Sequence, residues 1–233
     1  MSGLLLALAL TAHAGCLDTA PNTRESFETA LAYPVDFIEA DIRFGSDGVA
    51  YLSHDALSGA EQSGAMKLSE LLELVSARPL FRLNLDLKEF SALSSMADLI
   101  DSYGMRERVL LTGVGFDAVD SVRQTAKGLP YLLNAFPSPV ERYFAFSARA
   151  LAKRIQAAGA VGLNTHYRGA SRLLSRTLSS AGLALSVWTV DDEAEMRRFL
   201  SFPVNNITSR RIDRLLKLRE QTEAYLSGEK AVR

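Results

Sequence analysis

Side chains able to bind a metal or move a proton gather in three short polar stretches: His13-Ala14-Gly15, Glu39-Ala40-Asp41 and His54-Asp55. Each follows or ends a stretch with the composition of a β-strand. Apolar residues 4–10 run directly into Thr11, Ala12 and His13. In Phe37-Ile38-Glu39-Ala40-Asp41-Ile42 the carboxylates stand two residues apart, so on a strand they point to the same side. Flanking Phe37 and Ile38 imply a strand at least partly buried, and carboxylates side by side there repel unless a cation or a proton neutralises them. A metal ion is the economical explanation. A fourth segment, Leu80-Phe81-Arg82-Leu83-Asn84-Leu85-Asp86-Leu87-Lys88, alternates strictly from Arg82 to Lys88. In isolation that pattern suits an antiparallel strand with one wet face. Between two helical segments it suits a parallel sheet covered on both sides, and the polar row must then face an enclosed polar site. Asp86 is placed to complete a metal shell there, and Lys88 to neutralise an anionic substrate.

The elements that would hold these groups alternate along the chain. Candidate strands at 4–12, 36–42, 80–88, 109–113, 131–135, 161–164, 184–190 and 206–208 are interleaved with helical stretches. The helices are expected at 25–32, 68–77, 91–103, 116–127, 145–158, 171–181, 193–201 and from 211 towards 225. Asn22 or Thr23 can cap the first helix and Asp191 or Asp192 the seventh, while Gly159 and Gly182 end two others. Eight β-then-α units in this length predict a (β/α)8 TIM barrel as one domain over residues 1–233, with its site at the C-terminal strand ends. His13, Asp41, Lys88, Asn164 and Thr189 all fall at such ends. A short strand at 49–53, after the turn Gly45-Ser46-Asp47-Gly48, reads as a hairpin that returns His54 to the mouth.

Bulk properties narrow the function. A net charge of −1 with 23% charged residues is no polyanion-binding signature, so nucleic acid is not an expected partner. Cys16 is the only cysteine, which excludes an intrachain disulfide and suits a buried filler better than a nucleophile. Residues 4–10 resemble a signal-peptide core, and His13-Ala14-Gly15-Cys16 a lipoprotein cleavage site. No Lys or Arg precedes the run, however, and it is too short to span a bilayer. Cleavage there would discard His13. The expectation is a first strand and a cytoplasmic protein with no transmembrane segment, secretion being the alternative. Of the three histidines, His13 and His54 keep company with carboxylates, whereas His166 is expected at most as a pocket wall. Trp188 is either core or the lining of a substrate cleft.

Taken in series, His13-Ala14-Gly15, Pro21-Asn22-Thr23, Glu39-Ala40-Asp41, Asp47-Gly48-Val49 and His54-Asp55 resemble the opening half of the glycerophosphodiester phosphodiesterase family. Leu83-Asn84-Leu85-Asp86-Leu87-Lys88 is similar to its third-strand motif. Val187-Trp188-Thr189-Val190-Asp191-Asp192 and Val204-Asn205-Asn206-Ile207-Thr208 are similar to its closing motifs. The resemblance spans nearly the whole chain. It implies a TIM barrel that hydrolyses a glycerophosphodiester or lipid-derived phosphodiester with one divalent cation, Mg2+ or Ca2+, and two histidines. By the same resemblance Glu39, Asp41 and Asp86 would hold the metal, an all-oxygen shell suited to a hard cation. His13 and His54 would be general base and acid, in an order the resemblance leaves open, and Lys88 would contact phosphate.

Three departures accompany the likeness. Ala14 stands where the family usually has a phosphate-binding Arg, Pro21 replaces an acidic residue, and Asp86 is one methylene shorter than the frequent Glu. Ala offers nothing in place of a guanidinium–phosphate contact, and Arg43, two residues beyond Asp41, is the expected substitute. The stretch 56–67 is short where many members insert a small subdomain, which implies an open mouth. Two alternatives follow: a catalytically weak member that binds a phosphorylated ligand, and a lyase like the spider phospholipase D toxins that forms a cyclic phosphate.

Overall fold

A computed structural model describes residues 8–59 and 64–226. The expected first strand is observed as β1 (Ala9–Ala12), residues 4–7 lying outside the described part. The chain continues through α1 (Arg24–Ala30), β2 (Phe37–Phe44), β3 (Ala50–Leu52), α2 (Leu68–Ser76), β4 (Arg82–Leu87), α3 (Leu93–Ser102) and β5 (Val109–Val114). Then come α4 (Val119–Thr125), β6 (Tyr131–Asn134), α5 (Pro139–Tyr143), α6 (Ala145–Ala158), β7 (Gly162–His166) and α7 (Arg172–Ser180). β8 (Ala184–Trp188), α8 (Glu193–Leu200), β9 (Asn206–Ser209) and α9 (Ile212–Leu226) complete it.

The strands run in the order β1-β9-β8-β7-β6-β5-β4-β2, and β1 pairs with β2 to close the ring. Every pairing in the ring is parallel. This is the (β/α)8 barrel. β3 hangs outside it, antiparallel to β2 with Arg43 opposite Tyr51. Gly48, at φ +74°, permits the left-handed turn of that hairpin, and Asp47 pins it by accepting from the Val49 N–H. From there the Ser53 N–H donates to the Asp41 carbonyl at 3.1 Å, which brings the next residue, His54, to the barrel mouth.

The alternation in β4 has the physical meaning its neighbours suggested. Leu83, Leu85 and Leu87 point outward into the main core shared with the helices. The lumen takes the other face, and it is layered. Ala9, Phe37, Leu110, Leu132 and Ala184 form a separate apolar cluster that closes the N-terminal end. Above it lies a polar layer in which Asn206 accepts from Thr11 Oγ1 at 2.7 Å and donates to Ser186 Oγ at 3.0 Å. Burying such groups is tolerable because each finds a partner. Beyond the Arg82–Asp36 pair at the closed end, charge gathers at the C-terminal mouth.

Local signals placed most helix ends. Thr23 and Asp192 are the caps, accepting from Ser26 N–H and from the N–H groups of Ala194 and Glu195. Gly159 ends α6 in the left-handed region. One element was not anticipated. The short α5 is opened by a capping box between Ser138 and Glu141 with proline in its first turn.

Candidate active site

A cleft of about 470 Å³ opens at the C-terminal ends of the strands. His13, Glu39, Asp41, His54, Asp86, Lys88 and Trp188 line it, together with Asn164, Thr189 and Arg210. Residues from the first fifth of the chain and from its last tenth therefore share one wall. Gly113 forms part of the floor at φ +79°, where a Cβ would lie 2.1 Å from the Leu87 carbonyl oxygen, so β5 and the end of β4 meet here only through glycine.

The carboxylates of β2 and β4 stand side by side, Asp41 opposite Asp86 in register. Lys88 Nζ bridges them, 2.8 Å from Asp41 Oδ1 and 2.5 Å from Asp86 Oδ2. Burial alone would lower the pKa of this ammonium, but Asp86 and Asp41 outweigh it and hold it above its ordinary value. Asp86 is fixed from behind by the Thr112 hydroxyl at 2.8 Å. Asp41 is clamped by Asn22, whose Nδ2 donates to Oδ2 at 2.8 Å and whose Oδ1 accepts the Asp41 N–H at 3.0 Å. Asn22 sits at φ +60°, a conformation asparagine tolerates better than most residues. Sequence reasoning offered Asn22 as a helix cap. The structure gives the cap to Thr23 and makes Asn22 a support for the site.

Glu39 is buried beside this pair. Burial first, then Asp86 and Asp41, raise its carboxyl well above the usual range. The cluster therefore favours added positive charge or a bound proton. Among the described residues no group of His, Cys, Asp and Glu is drawn together at metal-ligating spacing. The Lys88 ammonium lies between the two aspartates instead. The donor chemistry of the three carboxylates nonetheless suits a hard cation.

His13 follows β1, with Nε2 3.9 Å from Glu39 Oε1. Both of its other polar neighbours offer only protons: the Gly15 N–H reaches Nδ1 at 3.4 Å, and Arg210 Nη2 lies 3.4 Å from Nε2. A protonated ring could accept neither, whereas a neutral ring accepts at the one nitrogen that bears no proton. Burial, reinforced by the Arg210 charge, lowers the His13 pKa to about 4, so the ring is neutral at neutral pH. His54 is set differently. Its side chain is 69% exposed and its Nδ1 contacts Asp55 Oδ1 at 2.8 Å.

Arg43 does not line the cleft. Its guanidinium binds the His54 carbonyl at 3.1 Å and faces Glu89 at 3.6 Å, so it braces the loop that carries His54. The cation at the wall is Arg210, which sequence reasoning missed. Asp191 holds it through a 2.7 Å bond to its backbone N–H and a 3.1 Å ion pair to its guanidinium. The only trace in the sequence was Asp191 itself, which leaves the capping of α8 to Asp192. His166 ends β7 and stacks edge-on against Trp188 at 5.8 Å, on the rim of the cleft.

Parallel strands closed into a barrel, with a cluster of carboxylates, histidines and cations at the C-terminal mouth, define an enzyme of the TIM-barrel class. The chain belongs to the glycerophosphoryl diester phosphodiesterase family, whose model matches residues 13–99 and 84–214. It is accordingly a phosphoric diester hydrolase. It is similar to "Probable glycerophosphodiester phosphodiesterase 2" of Mycobacterium tuberculosis, at 27% identity over 83% of each chain. Its fold is similar to that of a glycerophosphodiester phosphodiesterase from Parabacteroides distasonis, with TM-score 0.73, 19% identity and coverage of 93% of this chain and 98% of the other. A phosphodiesterase from Oleispira antarctica, solved with the product sn-glycerol-3-phosphate, matches with TM-score 0.73 and 17% identity over 91% of this chain and 96% of its own. No helix among the described residues is long and apolar enough to cross a membrane.

Proposed function

We propose that this cleft cleaves a glycerophosphodiester or lipid-derived diester to an alcohol and a phosphomonoester, with His13 as general base and His54 as general acid. The observation that carries the assignment is the contrast between the two imidazoles. His13 is held neutral between proton donors, which leaves it able only to accept a proton. His54 faces instead the Asp55 carboxylate at its Nδ1, a partner that accepts a proton rather than offering one. An anionic diester beside Arg210 offsets that cation's effect on His13 and brings its basicity closer to neutral pH, where a base works best. His13 would take the proton of the attacking hydroxyl, and His54 would protonate the leaving alkoxide.

Glu39, Asp41 and Asp86 are the residues to hold a divalent cation, Mg2+ or Ca2+, with Asn22 and Thr112 fixing two of them. When bound, such an ion would stabilise negative charge developing on the phosphoryl oxygens. Lys88 and Arg210 are the phosphate-binding cations in this reading, and Arg210, immediately after β9, supplies the guanidinium that Ala14 does not. Trp188 lines the substrate side of the cleft. Supporting the assignment of Arg210 is its place against His13, where the reacting phosphate must come for His13 to act. Turnover of glycerophosphodiesters and of bis(p-nitrophenyl) phosphate, with and without Mg2+ or Ca2+, tests the reading, and phosphorus NMR separates a monoester from a cyclic product. Wild-type turnover by His13→Ala would overturn the assignment of the base.

A further inference from the structure

We propose that the rim over α5 and the first turn of α6 docks on an anionic phospholipid bilayer. Phe136, Val140, Tyr143, Phe144 and Phe146 are 60, 52, 62, 63 and 84% exposed, all within eleven consecutive residues. They are five of the nine exposed large hydrophobics among the described residues, so the exposure is concentrated rather than scattered. A cluster of this size facing water marks a surface built to be covered.

Charge identifies the cover. Between Phe136 and Val190 the sequence carries seven Lys or Arg, and Glu141 is its single acid, in a chain whose net charge is −1. Glu141 is engaged by Arg154 at 3.3 Å and by the Ser138 cap. Arg142 lies over the Phe136 and Tyr143 rings at 5.6 and 5.4 Å, and exposed Arg149 and Lys153 continue the cationic surface along α6. A second copy of the chain meeting this patch face to face would oppose like charges across it. A bilayer with anionic headgroups takes the aromatics at its interface and the cations at its surface.

The position is also productive. Phe136 follows β6 at the C-terminal mouth and stands 6.5 Å from His166, which in turn packs on Trp188 at the cleft wall. An aromatic band thus links the docking patch to the cleft, along which a lipid-derived diester would enter. That last step rests on the diesterase reading; the docking itself does not.

Co-sedimentation of the full chain with phosphatidylcholine vesicles, with and without phosphatidylglycerol, tests the surface. Binding is expected to need the anionic lipid and to weaken with salt. Phe144→Ser/Phe146→Ser and Arg149→Glu/Lys153→Glu are each expected to lower partitioning about tenfold or more. Both should leave turnover of soluble glycerophosphocholine unchanged, because none of these residues lines the cleft. Wild-type protein that fails to bind anionic vesicles at low salt would overturn the proposal. So would equal binding to pure phosphatidylcholine, or a concentration-dependent dimer dissolved by Phe144→Ser/Phe146→Ser. Vesicle binding without any diester turnover would instead strike at the diesterase reading and leave the docking surface standing.

Discussion

At the N-terminal end of the lumen Phe37, Leu110 and Leu132 fill the space between strands. Further along the barrel strands, Asp41, Asp86 and Lys88 crowd the other end. Phe37 and Asp41 belong to one strand, and Arg82 opens β4 while Lys88 directly follows its last residue. At the closed end Arg82 pairs with Asp36 at 3.4 Å and lies over the Phe37 ring at 4.6 Å, a cation sealed to a structural partner. At the open end Lys88 bridges carboxylates in a cleft that admits solvent and substrate. One end is packed for stability, and the other keeps unbalanced charge because its function requires it.

If that division holds, mutations at the two ends should separate stability from activity. The largest effect is expected at the mouth: His13→Ala and His54→Ala should each lower kcat about 10²–10⁴-fold with little change in melting temperature. The double variant should fall little further, since residues acting as a unit are not additive. Steady-state kinetics and thermal melts on the same samples decide this. At the floor, Phe37→Ala should cost about 3–5 kcal/mol of stability in denaturant titrations, while the folded fraction keeps its kcat. An inactive but fully stable Phe37→Ala would break the comparison.

Arg210→Ala should weaken transition-state binding by about 1.5–3 kcal/mol, read as kcat/KM, the scale of a charge-assisted hydrogen bond. Arg43→Ala should act more weakly, through the His54 loop alone. Ala14→Arg introduces a second guanidinium into a fully buried position near His13 and should lower activity in the presence of Arg210. A kcat/KM loss confined to Arg43→Ala would return the phosphate contact to that residue.

The smallest effects concern pH in the metal-free protein. Glu39 has a raised folded pKa, so above pH 4.5 the native state keeps a proton the unfolded chain releases, and stability falls as pH rises. Glu39→Gln should remove that loss and stabilise the metal-free protein at neutral pH. His13 has the opposite sign. Its folded pKa of about 4 lies below the ordinary 6.5, so its contribution is present above pH 6.5 and is lost as pH falls from 6.5 to about 4. His13→Gln should flatten that acid limb of the stability profile. Metal-dependent stabilisation, growing as RT ln(1 + [L]/Kd), should shrink in Asp86→Asn. Equal metal-induced shifts in wild type and Asp86→Asn would remove Asp86 from the shell.

Much of the barrel was legible because its signals are local. Alternation in β4, periodic apolar helices and cap residues such as Thr23, Asp192 and Gly159 report on their own neighbourhood, and each led to an element in the right place. The signals of α5 are equally local, with Ser138, Pro139 and Glu141 in plain order, but a helix of five residues is too short to show an apolar period. The carboxylate pair of β2 was readable from the two-residue spacing and the pleat. The same logic aims Arg43 at the phosphate, and here the structure differs. The place of Arg43 two residues after Asp41 aligns it with that face, but by then β2 has left the ring to form the hairpin, and Glu89 and the His54 carbonyl capture the guanidinium.

By itself, then, the sequence determined the order of strands and helices, the polar face of β4, and the family that the spaced motifs point to. Those depend on residues within a few positions of one another, whose geometry the backbone period dictates. Only the closed barrel decided that Arg210 would stand against His13 across 197 positions of chain, that Asn22 would clamp Asp41, and that Lys88 would bridge two carboxylates. It also set exposed Phe144 and Phe146 on the rim that carries the cleft. Contacts of that kind exist because β1 lies between β9 and β2, and β2 beside β4, in the closed sheet, and no local spacing encodes which strands become neighbours.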